Sequence, residues 1–149
     1  MRAVAQRVSR ARIRVGDETV GRMGAGLLAL VGVSRRDDAA QARELARRLV
    51  ELRVFADVDG RMNLSLLEAG VGLGVVSQFT LLGDARRCRR PSWGAAAPAA
   101  QAEPLIGQLV QAARDLGAEV TTGRFQAHME VELVNDGPVT ILLDTEKTF

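Results

Sequence analysis

Apolar and polar positions alternate over residues 2–15, but the alternation changes phase part-way: Val4 and Val8 share one parity, and Ala11, Ile13 and Val15 share the other. Strand side chains point to opposite faces in turn, so this predicts a long strand whose inward face flips at a bulge or bend near Ser9-Arg10. After a turn at Gly16-Asp17, DETVGRM reads as a second strand. GLLALVGV, 26–33, is a continuous apolar run of the kind buried on both faces. The period then becomes helical. In DDAAQARELARRLVELRVF, Ala42, Leu45, Ala46, Leu49 and Leu52 form one stripe, and Arg43, Glu44, Arg47, Arg48 and Glu51 the polar side. Glu44 can reach Arg48 at i,i+4, and Asp37 or Asp38 can cap the start. DVDGRMN reads as a turn, and GLGVVSQFTLL, 72–82, as the next buried strand. A second helix is predicted from about Ala100 to Leu116, with Pro104 in its first turn and Gly117 as its stop. Its buried face would be Leu105, Ile106, Leu109, Ala113 and Leu116. Short strands around 118–123, 127–134 and 139–144 complete the chain. The order βββ-α-β-α-βββ predicts a single α+β domain over 1–149, with two main helices packed on largely antiparallel sheet.

One stretch does not fit a simple element. In VELVNDGPVTILLD, 131–144, Asp136-Gly137 between apolar runs is a hairpin signal. Pro138 follows at once. Proline has no N–H and belongs at edges, turns and bulges, so a plain hairpin gives no reason for it.

Composition narrows the function. Hydrophobic residues make up 47% and charged residues 26% of the 149, a globular balance. No apolar run reaches membrane-spanning length, and the first residues have no apolar signal core, so a cytoplasmic protein away from membranes is expected. The single Cys88 cannot form an internal disulfide, which suits a reducing compartment. Metal ligation needs several His, Cys or clustered carboxylates, and no such pattern occurs; neither metal nor cofactor is expected. His128 is the sole histidine, without a G-x-S-x-G elbow, and reads best as a surface or structurally paired residue in a strand. The basic residues are arginine apart from Lys147. A GC-rich genome explains that bias, but Arg86, Arg87, Arg89 and Arg90 crowd one loop. Solvation and phosphate contact explain that cluster equally well. SQFTL, residues 77–81, places polar side chains at the end of a buried strand; taken alone, the stretch reads better as ordinary strand-end polarity than as a pocket wall, although pocket residues commonly stand at such ends.

Taken together, SQFTL and NDGPVT resemble the two signature motifs of the D-aminoacyl-tRNA deacylases. MRAVAQRVSRA, GLLALVGV, DGRMNLSL, RRPSW, TGRFQAHM and VELVNDGPVTILL follow in the family's order and spacing over the whole chain. The resemblance implies a barrel-like deacylase fold and a homodimer with composite sites. Gly137-Pro138 would be a Gly-cis-Pro that one subunit inserts into the other's pocket, supported by Arg7, with Met129 in the pocket wall. The implied reaction is hydrolysis of the ester joining a D-amino acid, or glycine, to tRNA, as chiral proofreading in translation, with L side chains excluded by the Gly-Pro carbonyls. Two mechanisms are open. Thr80 can be the nucleophile if a base activates it. Alternatively, backbone N–H groups around Phe79 and Thr80 form an oxyanion hole, Gln78 and Ser77 place groups, and the RNA 2′-OH assists a water; this is the preferred reading. Arg86, Arg87, Arg89 and Arg90 would meet acceptor-stem phosphates, and Trp93 would stack on the terminal base. Two positions depart from the family: Trp93 stands where phenylalanine is usual and His128 where aspartate is. The rival readings are a tRNA- or RNA-binding homodimer without catalysis, and a structural dimer in which NDGP is only an interface turn.

Overall fold

The computed structural model describes residues 1–86 and 89–148. Its strands are β1 (Arg2–Val15), β2 (Glu18–Met23), β3 (Gly26–Gly32), β4 (Phe55–Ala56), β5 (Met62–Leu64), β6 (Gly72–Ser77), β7 (Val120–Thr122) and β8 (Glu130–Asp144). Its helices are α1 (Ala39–Glu51), α2 (Leu66–Ala69) and α3 (Ala99–Asp115), with a 3-10 turn at Phe79–Leu82. The main sheet runs β2-β1-β3-β6-β7, and β8 lies along the other edge of β1. β1 pairs antiparallel with β2, β3 and β8. β3–β6 and β6–β7 are parallel, because α1 and α3 carry the chain back across the sheet. The two ends curl toward each other: Thr121 Oγ1 donates to the Arg22 carbonyl at 3.4 Å, making the sheet a nearly closed barrel. Gly21 permits this approach, since a Cβ there would stand 2.7 Å from the Thr122 carbonyl.

The phase change in β1 is a bulge. Ala3 and Ala5 face a core shared with α1 and α3, whereas Val8, Ala11 and Ile13 belong to a second cluster. The β1–β8 register slips between Val8 and Arg10, where the sequence pattern places the flip. β3 is buried on both faces: Leu27, Ala29 and Val31 enter the first core and Leu28 the second. α1 lays Leu45, Ala46 and Leu49 on that first core, beside Leu105, Leu109 and Ala113 of α3. Asp38 caps α1: its side chain accepts from Ala40 N, and Gln41 Oε1 accepts from Asp38 N. Asp37 is buried instead, accepting from Ser34 N at 2.6 Å and pairing with the Met1 ammonium.

Several expectations are corrected. The hairpin at 135–138 does not form; residues 130–144 are one strand along β1, and the NDGP segment is an outward bulge within it. The strand expected to reach 82 ends at Ser77 and becomes the 3-10 turn. DVDGRMN makes the expected turn, but that turn closes a small β4–β5 hairpin, followed by the short α2. Pro104 lies beyond the first turn of α3; it and Ala100, whose carbonyl loses a helical donor, are both exposed, so water can serve that carbonyl. Val110, not Leu116, completes the buried face of α3. His128 precedes β8 in a loop rather than sitting in a strand. Among the described residues no helix is long and apolar enough to cross a membrane.

Candidate active site

β6 leaves the sheet at Ser77, and Gln78 N donates to the Val31 carbonyl at 2.7 Å, so the chain turns at the end of β3. The turn then tightens: Leu81 N bonds the Gln78 carbonyl at 3.3 Å and Gly83 N the Thr80 carbonyl at 3.0 Å. It packs directly on Gly32, where a Cβ would lie 2.4 Å from Leu82 Cδ2 and 3.0 Å from the Gln78 carbonyl. Arg2 Nη1 donates to the Leu81 carbonyl at 3.0 Å and ties the turn to the start of β1. Ser77, Gln78, Phe79 and Thr80 thereby line one wall of a cleft of about 640 Å³. Ala99, Ala102 and Ile106 of α3 form a second wall, and Phe125 to Met129 a third. Met129 is seated by Gly123, whose Cβ would stand 2.6 Å from the thioether sulfur.

Within the cleft wall, Gln78 Nε2 donates to Thr80 Oγ1 at 3.1 Å. The Phe79 ring is 59% exposed and meets Trp93 edge to face at 5.9 Å. Trp93 is brought there by the Asp84–Ser92 bridge that folds the arginine-rich loop back on itself. Arg86 is held within that loop: its guanidinium bonds Asp84 at 2.9 and 2.7 Å, and this contact holds the Asp84 carboxyl well below the usual carboxylate range. Arg89 and Arg90 are exposed, and Arg87 lies outside the described residues.

Gly137, Pro138 and Arg7 form a separate group. Neither Gly137 nor Pro138 lines the cleft of its own chain, and both are exposed. The bond between them is cis, and Gly137 has φ +123°, in the region that favours glycine. Arg7 braces the segment: Nε stands 3.3 Å from the Asp136 carbonyl and 3.2 Å from Asp136 Oδ2, and Nη1 is 2.6 Å from the Val54 carbonyl. The structure thus gathers Ser77, Gln78, Phe79, Thr80 and Met129, adds Trp93 through Phe79, and leaves the Gly-Pro segment elsewhere on the same chain. Sequence reasoning missed Arg2, Gly32 and Asn135; His128, read as a surface or structurally paired residue in a strand, lines the cleft beside Met129. A second open groove, of about 770 Å³, crosses the β1–β2–β8 face, but Arg12 there is paired with Glu132, and no hydroxyl or thiol side chain lines it.

Residues 4–144 match the family described as D-Tyr-tRNA(Tyr) deacylase. The D-aminoacyl-tRNA deacylase of Symbiobacterium thermophilum is 60% identical over 149 residues, covering 100% of this chain and 99% of the relative. That of Desulforudis audaxviator is 52% identical, with 100% of each chain covered. Among solved structures, the c-Myc DNA unwinding element binding protein superposes with a TM-score of 0.92 at 35% identity, over 97% of this chain and 99% of the other. With its two motifs in place and end-to-end agreement with these relatives, the chain belongs to the D-Tyr-tRNA(Tyr) deacylase family.

Proposed function

We propose that the protein hydrolyses the ester joining a D-amino acid, or glycine, to the terminal adenosine of tRNA, releasing free amino acid and tRNA. The observation that carries this reading is the 3-10 turn at the cleft mouth. The first N–H groups of such a turn have no acceptor inside it, so those of Phe79 and Thr80 are available to an oxyanion. Water attacks the ester carbonyl, the carbonyl oxygen takes up negative charge between these donors, and collapse expels the ribose oxygen, which regains a proton. The neighbouring 2′-OH of the RNA assists the water. Gln78 keeps Thr80 in place, Ser77 and Met129 shape the wall, and Trp93 beside Phe79 offers a stacking surface for the terminal base.

Chirality is set by a second copy of the chain. In a homodimer, the exposed Gly137-Pro138 tip of one subunit enters the other's cleft. Its carbonyls hold the substrate ammonium and fill the space an L side chain would need. Glycine has no side chain to exclude, so glycyl-tRNA is also a substrate. Arg7 braces the tip. Arg89 and Arg90, with the Asp84-bound Arg86, face the acceptor-stem phosphates. The setting is cytoplasmic proofreading of aminoacyl-tRNA.

The test is direct. Catalytic amounts of protein should hydrolyse D-Tyr-tRNA and Gly-tRNA and leave L-Tyr-tRNA intact. Binding of all three without turnover would instead establish the non-catalytic RNA-binding reading.

A further inference from the structure

The NDGP bulge is unusually wide for a strand irregularity. Gln6 pairs with Thr140 and Val8 with Asn135, so Arg7 alone faces residues 136–139. Such an excursion strips backbone carbonyls of their ladder donors, and Pro138 has no N–H to offer in return. Side chains supply part of what is missing, and at the neck it is Asn135. Asn135 Nδ2 donates to the Arg7 carbonyl at 2.9 Å and to the Val139 carbonyl at 3.0 Å. Both partners are carbonyl oxygens, so only the NH2 end of the amide can face them. The bulge is thereby closed at its neck: its start is tied to the neighbouring strand and to its own far end. Asn135 is partly buried, whereas Asp136, Gly137 and Pro138 are exposed. The neck is fixed and the tip projects. Arg7 braces a different part, the Asp136 carbonyl and carboxylate at the tip. There is little slack between the two, since a Cβ on Gly137 would stand 2.7 Å from Val139 Cγ2 and 3.0 Å from Arg7 Nη2.

We propose that Asn135 is a positioning residue for chiral selection: by closing the neck of the bulge it sets where the Gly137 and Pro138 carbonyls stand in the partner's cleft. This rests on the reading of that segment as the chirality filter. Asn135 touches no substrate; it acts through the backbone it holds.

The experiment compares wild type, Asn135→Ala, Asn135→Ser and Gly137→Ala. Thermal unfolding and oligomeric state are measured first, then kcat/KM on D-Tyr-tRNA and L-Tyr-tRNA. Misplacing carbonyls that must meet a substrate ammonium should lower D-substrate kcat/KM on the order of tenfold to a hundredfold in Asn135→Ala. The D-over-L ratio should fall with it. Asn135→Ser keeps one donor and should lie between. A purely structural role would lower both rates with the folded fraction and leave the ratio unchanged, and that result would overturn the proposal. So would wild-type rates and ratio in folded Asn135→Ala, or in Asn135→Ser should the alanine variant not fold. Gly137→Ala separates the two levels. If it abolishes discrimination and the Asn135 variants do not, only the role of Asn135 is wrong. If it too leaves rate and ratio untouched, the filter reading fails and this proposal fails with it.

Discussion

Thr80 presents two groups to the cleft, a hydroxyl and a backbone N–H, and the mechanism depends on which one works. The hydroxyl accepts from the Gln78 amide at 3.1 Å. An amide N–H donor cannot take a proton, so this contact orients Thr80 without activating it. The N–H, in contrast, stands at the start of a turn whose own bonds are made by Leu81 and Gly83. Thr80→Ala should therefore keep kcat on D-Tyr-tRNA within about tenfold of wild type, while Thr80→Pro, which deletes the N–H, should lose about 10²–10³ in kcat. Equal losses in both variants, or a trapped aminoacyl ester on Thr80, would make the hydroxyl the nucleophile. The motif around Thr80 was legible in the sequence; its shape was not. Phe79, Leu81 and Leu82 prolong the apolar run of β6, and a run of this kind cannot reveal that the chain has left the sheet. What turns it is remote: the bare backbone of Gly32 and the guanidinium of Arg2. His128 was misplaced for a similar reason, because alternation around 127–134 continues past the true start of β8 at Glu130.

Among the elements, β1 and β8 show what pattern reveals and what it hides. The flip in β1 was readable because side-chain parity records it. The continuity of β8 was not, since Asp136-Gly137 between apolar runs carries the same local signal in a hairpin and in a bulge. The deciding factor is the length of β1, which offers partners on both sides of the break, from Arg2 opposite Asp144 to Arg14 opposite Glu130. The short α2 did leave a sign, the Ser65…Glu68 capping box, in a stretch where helical periodicity had no room to show. The far end of β8 carries a pH prediction. Burial of Asp144 pushes its pKa up, but hydrogen bonds from the Thr148 hydroxyl and Glu146 N, with the Arg2 guanidinium at 3.0 Å, outweigh this and hold it below its ordinary 3.8. A carboxyl with a depressed folded pKa stabilises the fold above the unfolded pKa and loses that contribution as pH falls through the folded value. Asp144→Asn should therefore cost about 1–3 kcal/mol near neutrality, and the gap to wild type should narrow below about pH 4. Denaturant midpoints measured across that range check this; a gap independent of pH would mean the charge is not what Asn lacks.

For the whole molecule, strand order was less legible than strand identity. The parallel β3–β6–β7 ladder and the approach of β2 to β7 follow from where α1 and α3 return the chain, which no local pattern encodes. The proposed subunit partnership is further still from local pattern, because a tip that served another chain's cleft would leave no trace in its own periodicity. It can be tested by complementation. Gly137→Ala damages the tip and leaves the turn; Thr80→Pro damages the turn and leaves the tip. If each site takes its turn from one subunit and its tip from the other, both homodimers are impaired. The mixed dimer is different: one of its sites joins an intact turn to an intact tip, and the other joins both defects. Random reassociation makes about half the dimers mixed, so an equimolar mixture of two nearly inactive proteins should recover about a quarter of wild-type activity on D-Tyr-tRNA. Mixed dimers isolated through two different affinity tags should show about half the wild-type rate, with D-over-L discrimination intact, since the recovered site contains no substituted group. If a single chain carries the whole site, every chain in the mixture is defective and the rate stays at the mean of the two homodimers. That outcome would remove the second subunit from the mechanism and return Gly137-Pro138 to an interface turn.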